Sequence, residues 1–183
     1  MLPMATWAQF EAEAPELASV AARLWPGITA LHRREDVAAG SPAFSIAYLA
    51  TVRPDGAPRL HPFCPILAGG GLFAAIPLLS PKGRDLRRDG RCVIHALPGA
   101  DDDELCIRAV AVELKGDAAT TGMVRDVVAR SGVGGMIETV ANDDLFEFDL
   151  EQVDVARWLN IGQPGTRAVR LRWRPAEGTM TER

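Results

Sequence analysis

The sequence predicts a mainly β domain, an antiparallel barrel carrying a few helices. Three observations lead there. Short apolar runs of strand length recur between Ile46 and Trp173. Turn chemistry separates them, as in Pro54-Asp55-Gly56 and Gly69-Gly70-Gly71. Too few helical stretches lie between them for the crossovers of a parallel sheet.

The elements follow in order. From Trp7 to Leu24 the residues Phe10, Ala14, Leu17, Ala21 and Leu24 recur at helical spacing, and Pro26-Gly27 ends the run. One amphipathic helix over about 7–25 is expected. Residues 28–42 read as a charged connector with room for one short strand. Ile46 to Val52 and Ala57 to Leu67 are expected to form a hairpin, because proline presets one angle of the turn and glycine accepts a positive one. Leu72 to Pro77 is a third strand.

Ser80-Pro81 is a helix-start signature: the hydroxyl can cap and proline suits the first helical position. A short helix is expected to Asp89, with Asp85 in its first turn and Gly90 closing it. Cys92 to Leu97 and Leu105 to Leu114 are strands on either side of the acidic loop Asp101 to Glu104. Thr121 to Ala129 is a helix. Phe146, Phe148 and Leu150 alternate with acids, and Val153 to Ile161 and Ala168 to Trp173 are strands around Gln163-Pro164-Gly165. The total is about seven strands and three helices.

A chain of 183 residues suits one domain, 1–183, with the N-terminal helix packed on it. Its 48% apolar and 24% charged content fits neither a disordered nor a membrane chain, and no apolar run has the length of a span. The first ten residues lack the pattern of a secretion signal, so a cytoplasmic protein is expected. A net charge of -4 disfavours a nucleic-acid partner. Cys64, Cys92 and Cys106 form no close pair; no disulfide framework or zinc knuckle is expected, and each reads as a small core residue. Neither His32 nor His95 has an acid or cysteine at ligand spacing, so no metal site is expected. No nucleophile and base stand in a recognisable frame, which leaves catalytic residues unassigned.

The informative stretch is Pro58-Arg59-Leu60-His61-Pro62 followed by Ser80-Pro81-Lys82-Gly83-Arg84-Asp85-Leu86. A helix N-terminus offers unpaired N–H groups and partial positive charge to a phosphate. Lys82 in the first turn opposes the helix dipole, and an anionic ligand would reverse that sign. The same spacing also suits a solvated helix face, with Lys82, Arg84, Arg87 and Arg88 against Asp85 and Asp89.

The run from Tyr48 to Leu97, with Ala50 to Arg59 as its hairpin and Ser80-Pro81-Lys82 as its helix start, resembles the pyridoxamine 5'-phosphate oxidase-like FMN-binding split-barrel family. The resemblance implies a split β-barrel that works as a homodimer, with FMN at the subunit interface and a small-molecule substrate. It assigns Arg59, Ser80 and Lys82 to the flavin phosphate and Leu86 to packing the helix down. It extends to His61 and Arg84, and to the backbone near Thr51 and Leu60 to Pro62 at the ring edge. Trp158 either covers the ring from the partner subunit or packs in the core. His61 is likewise open between a cofactor contact and a hydrogen-bonded structural role.

Cys64 stands where the oxidases carry a lysine, and Ile76-Pro77 where they carry a threonine. These departures turn the match toward the divergent branch that includes deazaflavin (coenzyme F-420) reductases and haem or bilin binders. The expected function is therefore an FMN flavoprotein oxidoreductase. The deazaflavin coenzyme, haem or a cofactorless dimer are the alternatives. Arg170, Arg172 and Arg174 alternate on one strand face, either solvated or serving a polyanionic cofactor tail. Joint removal of Arg59 and Lys82 is expected to abolish flavin binding and to leave the apo protein's stability nearly unchanged.

Overall fold

A computed structural model describes residues 4–33, 44–99, 101–131 and 143–182. Three helices precede the sheet: α1 (Trp7–Glu13), α2 (Pro15–Leu24) and α3 (Pro26–Arg33). The single helix expected over 7–25 is thus broken at Ala14 and at Trp25. Pro15 and Pro26 each open a new helix, because proline has no N–H to continue the old one and suits a first helical position. The apolar spacing still holds across the breaks: Trp7, Phe10, Leu17, Ala21 and Trp25 are all buried. Residues 28–33 of the expected connector are helical, and the rest of it up to 42 lies outside the described residues.

The strands are β1 (Ala47–Val52), β2 (Pro58–Phe63), β3 (Ile66–Ala68), β4 (Gly71–Ile76), β5 (Arg91–Ala96), β6 (Glu104–Glu113), β7 (Asp144–Leu159), β8 (Arg167–Arg174) and β9 (Gly178–Glu182). Two further helices are α4 (Pro81–Arg88) and α5 (Ala118–Arg130). The run expected as one strand over 57–67 is two. Cys64-Pro65 turns a corner, after which β3 leaves β1 and pairs with β4. Conversely, the segments read separately around Phe146 and Val153 form one 16-residue strand. β9 had no expectation.

The sheet is antiparallel throughout, in the order β2-β1-β5-β6-β7-β4-β3, with β8 added to β7 and β9 to β8. Its two ends, β2 and β3, are chain neighbours joined by the Cys64-Pro65 corner, so the sheet curls back on itself. The split lies along β7. One edge of β7 pairs with β6; the other pairs with β4 over Asp144–Glu147 and with β8 over Val153–Leu159. Ala5 spans the gap by exchanging two main-chain hydrogen bonds with Leu150. A bulge at Glu151 shifts the β6–β7 register between Arg108 and Ala109.

The main core lies between the curled sheet and the N-terminal helices. Phe10 packs against Trp7 at 5.1 Å and Trp173 at 5.3 Å between ring centroids, and Phe63 against Phe148 at 6.0 Å. A second cluster joins α5 to β3 and β4 through Val124, Val127, Val128, Ile66 and Phe73. Of the cysteines, Cys92 is a core residue as expected; Cys64 and Cys106 are only half-buried, and all three are free thiols. No helix among the described residues is long and apolar enough to cross a membrane.

Candidate functional site at the corner of β2 and the start of α4

The hairpin that carries Arg59 is built locally. Gly56, with φ of +83°, takes the left-handed position of the turn, and the Asp55 carboxylate accepts from Ala57 N at 3.1 Å. Alternation along β2 then puts Arg59, His61 and Phe63 on the face toward the core, and Pro58, Leu60 and Pro62 on the exposed face. In register, Arg59 lies opposite Thr51 and His61 opposite Leu49.

At the helix start, the Ser80 hydroxyl accepts from Gly83 N at 3.1 Å, and Pro81 holds the first helical position. Leu86, 3% exposed, anchors the helix, as the resemblance implied. Asp85 departs from its expected role. It sits beyond the first turn, 2% exposed, and faces the strands. It accepts from Arg59 Nε at 2.7 Å, from the Thr51 hydroxyl at 3.1 Å and from Arg88 Nη1 at 3.3 Å. Arg88 also donates to the carbonyl of Val52. The Thr51 side chain is therefore held by an acid.

Lys82 reaches back from α4 and donates to the carbonyl of Pro62 at 3.1 Å. Strand and helix are thus tied twice, at Arg59–Asp85 and at Lys82–Pro62. His61 lies within electrostatic reach of Lys82, Arg59 and Asp85, and its Nε2 is buried without a hydrogen-bond partner. Burial, then Lys82 and Arg59, push the imidazole below its ordinary pKa, against an opposing pull from Asp85. Burial also lowers the Lys82 ammonium, offset by Cys64 and Asp143. The Cys64 thiol is raised by burial, which disfavours a thiolate beside that amine. Asp143 is raised as well, by burial and by Asp144 beside it, and one of its oxygens has no partner.

The structure thus gathers Arg59, His61, Ser80, Lys82 and Thr51, and adds Asp85, which the sequence reading had placed elsewhere. The side chains of three further candidates lie apart from this cluster within the chain. Leu60 points away on the exposed face of β2, 61% exposed. Arg84 turns outward and donates to Leu79 O at 3.3 Å. Trp158, 39% exposed, is eight residues beyond Leu150, which shares the cross-strand row of Thr51, Cys92 and Ala109. At the rise of a strand this is about 26 Å along the sheet, too far for one protomer to bring Trp158 to the cluster.

The charged helix face also resolves into separate pairs. Arg87 bonds Glu113 at 2.7 Å as well as Asp144, and Arg91 bonds Asp89 at 2.6 Å. The arginine stripe is on the penultimate strand. Arg172 holds Asp154 at 2.6 Å, and Arg174 donates to Gln152 at 2.8 Å and lies by Glu177 at 3.3 Å. A cleft of about 410 Å³ opens on the other face of β1, lined by Ala50, Val52, Val93, Arg91, Arg108 and Glu151.

No known family model matches the sequence, and no curated protein does. Solved structures do match. The haem storage protein HutZ of Vibrio cholerae is 20% identical over 72% of this chain and 93% of its own, with a TM-score of 0.54. A putative pyridoxamine 5'-phosphate oxidase from Listeria innocua is 15% identical over 71% and 95%, with a TM-score of 0.51. A Clostridium acetobutylicum protein of the pyridoxinephosphate oxidase family, related to general stress protein 26, is 12% identical over 89% and 94%, with a TM-score of 0.53. With its sheet forked along β7 and its two ends joined through the chain at Cys64-Pro65, the protein has the split β-barrel fold of the pyridoxamine 5'-phosphate oxidase-like proteins.

Proposed function

We propose that the protein is an FMN-binding oxidoreductase of the pyridoxamine 5'-phosphate oxidase-related type, acting on a small organic molecule as a cytoplasmic homodimer. The observation that carries this is the meeting of Arg59 and Lys82, from different elements, beside the Ser80-capped start of α4. A phosphate there would meet the Lys82 main-chain N–H, the Lys82 ammonium and the Arg59 guanidinium together, Gly83 N and Arg84 N being bonded already to Ser80.

The residues present fit the group. The Lys82 ammonium is half-buried with a carbonyl as its hydrogen-bond partner, and a phosphate would restore the favourable field that burial removes. Arg59 is engaged through Nε, and its Nη pair makes no hydrogen bond among the described residues. Bound FMN supplies hydride transfer at its ring. The chain's own part is to hold the phosphate. β2 also offers a main-chain edge, since it pairs with β1 alone. Exposed Tyr48, Leu60, Leu78 and Leu79 surround this region and suit cover by a second copy.

Haem is the second reading. Cys64 and Ile76 remove polar partners for a flavin, and structures sharing the fold carry haem-binding descriptions. The deazaflavin coenzyme ranks below both, because Arg172 and Arg174 are already engaged by Asp154, Gln152 and Glu177.

The test is the visible spectrum of the purified protein, followed by separate titrations with FMN, the deazaflavin coenzyme and haemin. Tight FMN binding that is lost in Lys82→Met supports the flavin reading. Preference for haemin, with FMN ignored, moves the assignment to haem.

A further inference from the structure

We infer that Asp85 positions Arg59 for the ligand's phosphate, so that a buried carboxylate that never touches the ligand sets the affinity of the site. This rests on the phosphate reading above. Asp85 lies one helical turn beyond Lys82 on the inner side of α4, and three donors converge on it: Arg59 Nε, the Thr51 hydroxyl and Arg88 Nη1.

The choice of Arg59 atom matters. A bond at Nε fixes the guanidinium plane from its inner edge and leaves the Nη fork available, the end that grips phosphate with two parallel donors. An unheld arginine would have to lose its rotamer freedom on binding; one already clamped loses much less. Thr51 and Arg88 hold the clamp itself, which makes the carboxylate a fixed point.

Charge agrees with this assignment. Arg59 and Arg88 share the carboxylate of Asp85, while Lys82 bonds Pro62 O and lies within electrostatic reach of Asp143. A phosphate monoester, about -1.5 to -2 at neutral pH, would supply a counter-charge that the Arg59 and Lys82 side chains can share. Without Asp85, Arg59 and Arg88 would lose their common partner and Arg59 would be mobile.

The experiment compares FMN with riboflavin, which lacks the phosphate, by flavin fluorescence quenching. The wild-type protein is expected to prefer FMN. Asp85→Asn should weaken FMN roughly tenfold, the size of one charge-assisted hydrogen bond, and leave riboflavin unchanged. In an Arg59→Ala background the same substitution should add no further loss, because Asp85 acts through Arg59. Thr51→Val, nearly isosteric, removes one of the three donors that hold Asp85 and should lower the FMN preference by a smaller factor in the same direction, with no further loss in the Arg59→Ala background.

A wild-type protein that binds both flavins equally, or neither, overturns the phosphate reading and this inference with it. An intact FMN preference in Asp85→Asn, even with a lower melting temperature, overturns the inference alone and makes Asp85 merely structural. If Asp85→Asn does not fold, Thr51→Val decides: an undiminished preference there overturns the inference.

Discussion

Arg59 donates from Nε to Asp85 at 2.7 Å, joining β2 to α4 between residues 26 positions apart in the chain. The acid is 2% exposed, so the arginine is part of the fold as well as of the site.

Arg59→Ala should therefore destabilise the apo protein. Asp85 keeps Thr51 and Arg88, so the loss is expected at about 1–3 kcal/mol, below that of a fully stranded buried charge. This replaces the expectation, drawn from the sequence, that removing Arg59 with Lys82 leaves stability nearly unchanged. Urea unfolding checks it, and an unshifted midpoint would mean that the pair contributes nothing.

Lys82→Met should behave differently. The ammonium is disfavoured by burial, and the Met side chain keeps most of its apolar stem. Apo stability is expected to stay level or rise, while FMN binding is lost. A drop in apo stability matching that of Arg59→Ala would contradict the assignment of Lys82 to the ligand.

Stability should decline in acid. Burial raises the Asp85 carboxyl, but hydrogen bonds from Arg59 and Thr51 outweigh it and the net pKa is lowered. Glu113 is lowered chiefly by Arg87, and Asp89 falls to about 2 through Arg91. A lowered carboxylate contributes stability that is complete above its unfolded pKa of about 4 and is lost as pH falls through the folded value. Asp143, Glu147 and Asp149, all raised foremost by burial, act in the opposite sense and lose stability as pH rises through their folded values. Melting temperatures from neutral pH to about pH 2.5 should fall below about pH 4, less steeply in Asp85→Asn. A rise toward acid would show that the raised carboxylates dominate.

Gly90→Ala tests the junction that aims α4. A Cβ there would stand 2.7 Å from the carbonyl oxygen of Ala111, and Gly90 O already accepts from Ala111 N at 2.8 Å. Backbone cannot yield as a side chain can, so a loss of about 1–3 kcal/mol is expected. Chemical denaturation measures it; a neutral result would mean that β5 and β6 separate there at little cost.

The hairpin, the Ser80 cap and the helix after it were legible because each is decided within a few residues. Pro54-Asp55-Gly56 makes its own turn, and Ser80-Pro81 its own helix start. Asp85 was misjudged for the complementary reason. An acid near a helix start suggests the dipole, and only the packing of α4 under β1 and β2 turns it inward to three donors. Trp158 pairs with Ala168, far along the sheet from its own protomer's cluster, so the cover that the resemblance implies would have to come from a second copy.

By itself the sequence determined the class of the fold, the β1–β2 hairpin and the cap of α4, and it singled out Arg59 and Lys82 as candidates for an anion. These depend on period, turn angles and capping, which act over a few residues. The tertiary structure alone decided that Cys64-Pro65 carries the chain from one end of the sheet to the other, that β7 forks to β4 and β8, and that Asp85 clamps Arg59. Each is a contact between segments distant in the chain, set by which faces must be buried together, and no local preference encodes it.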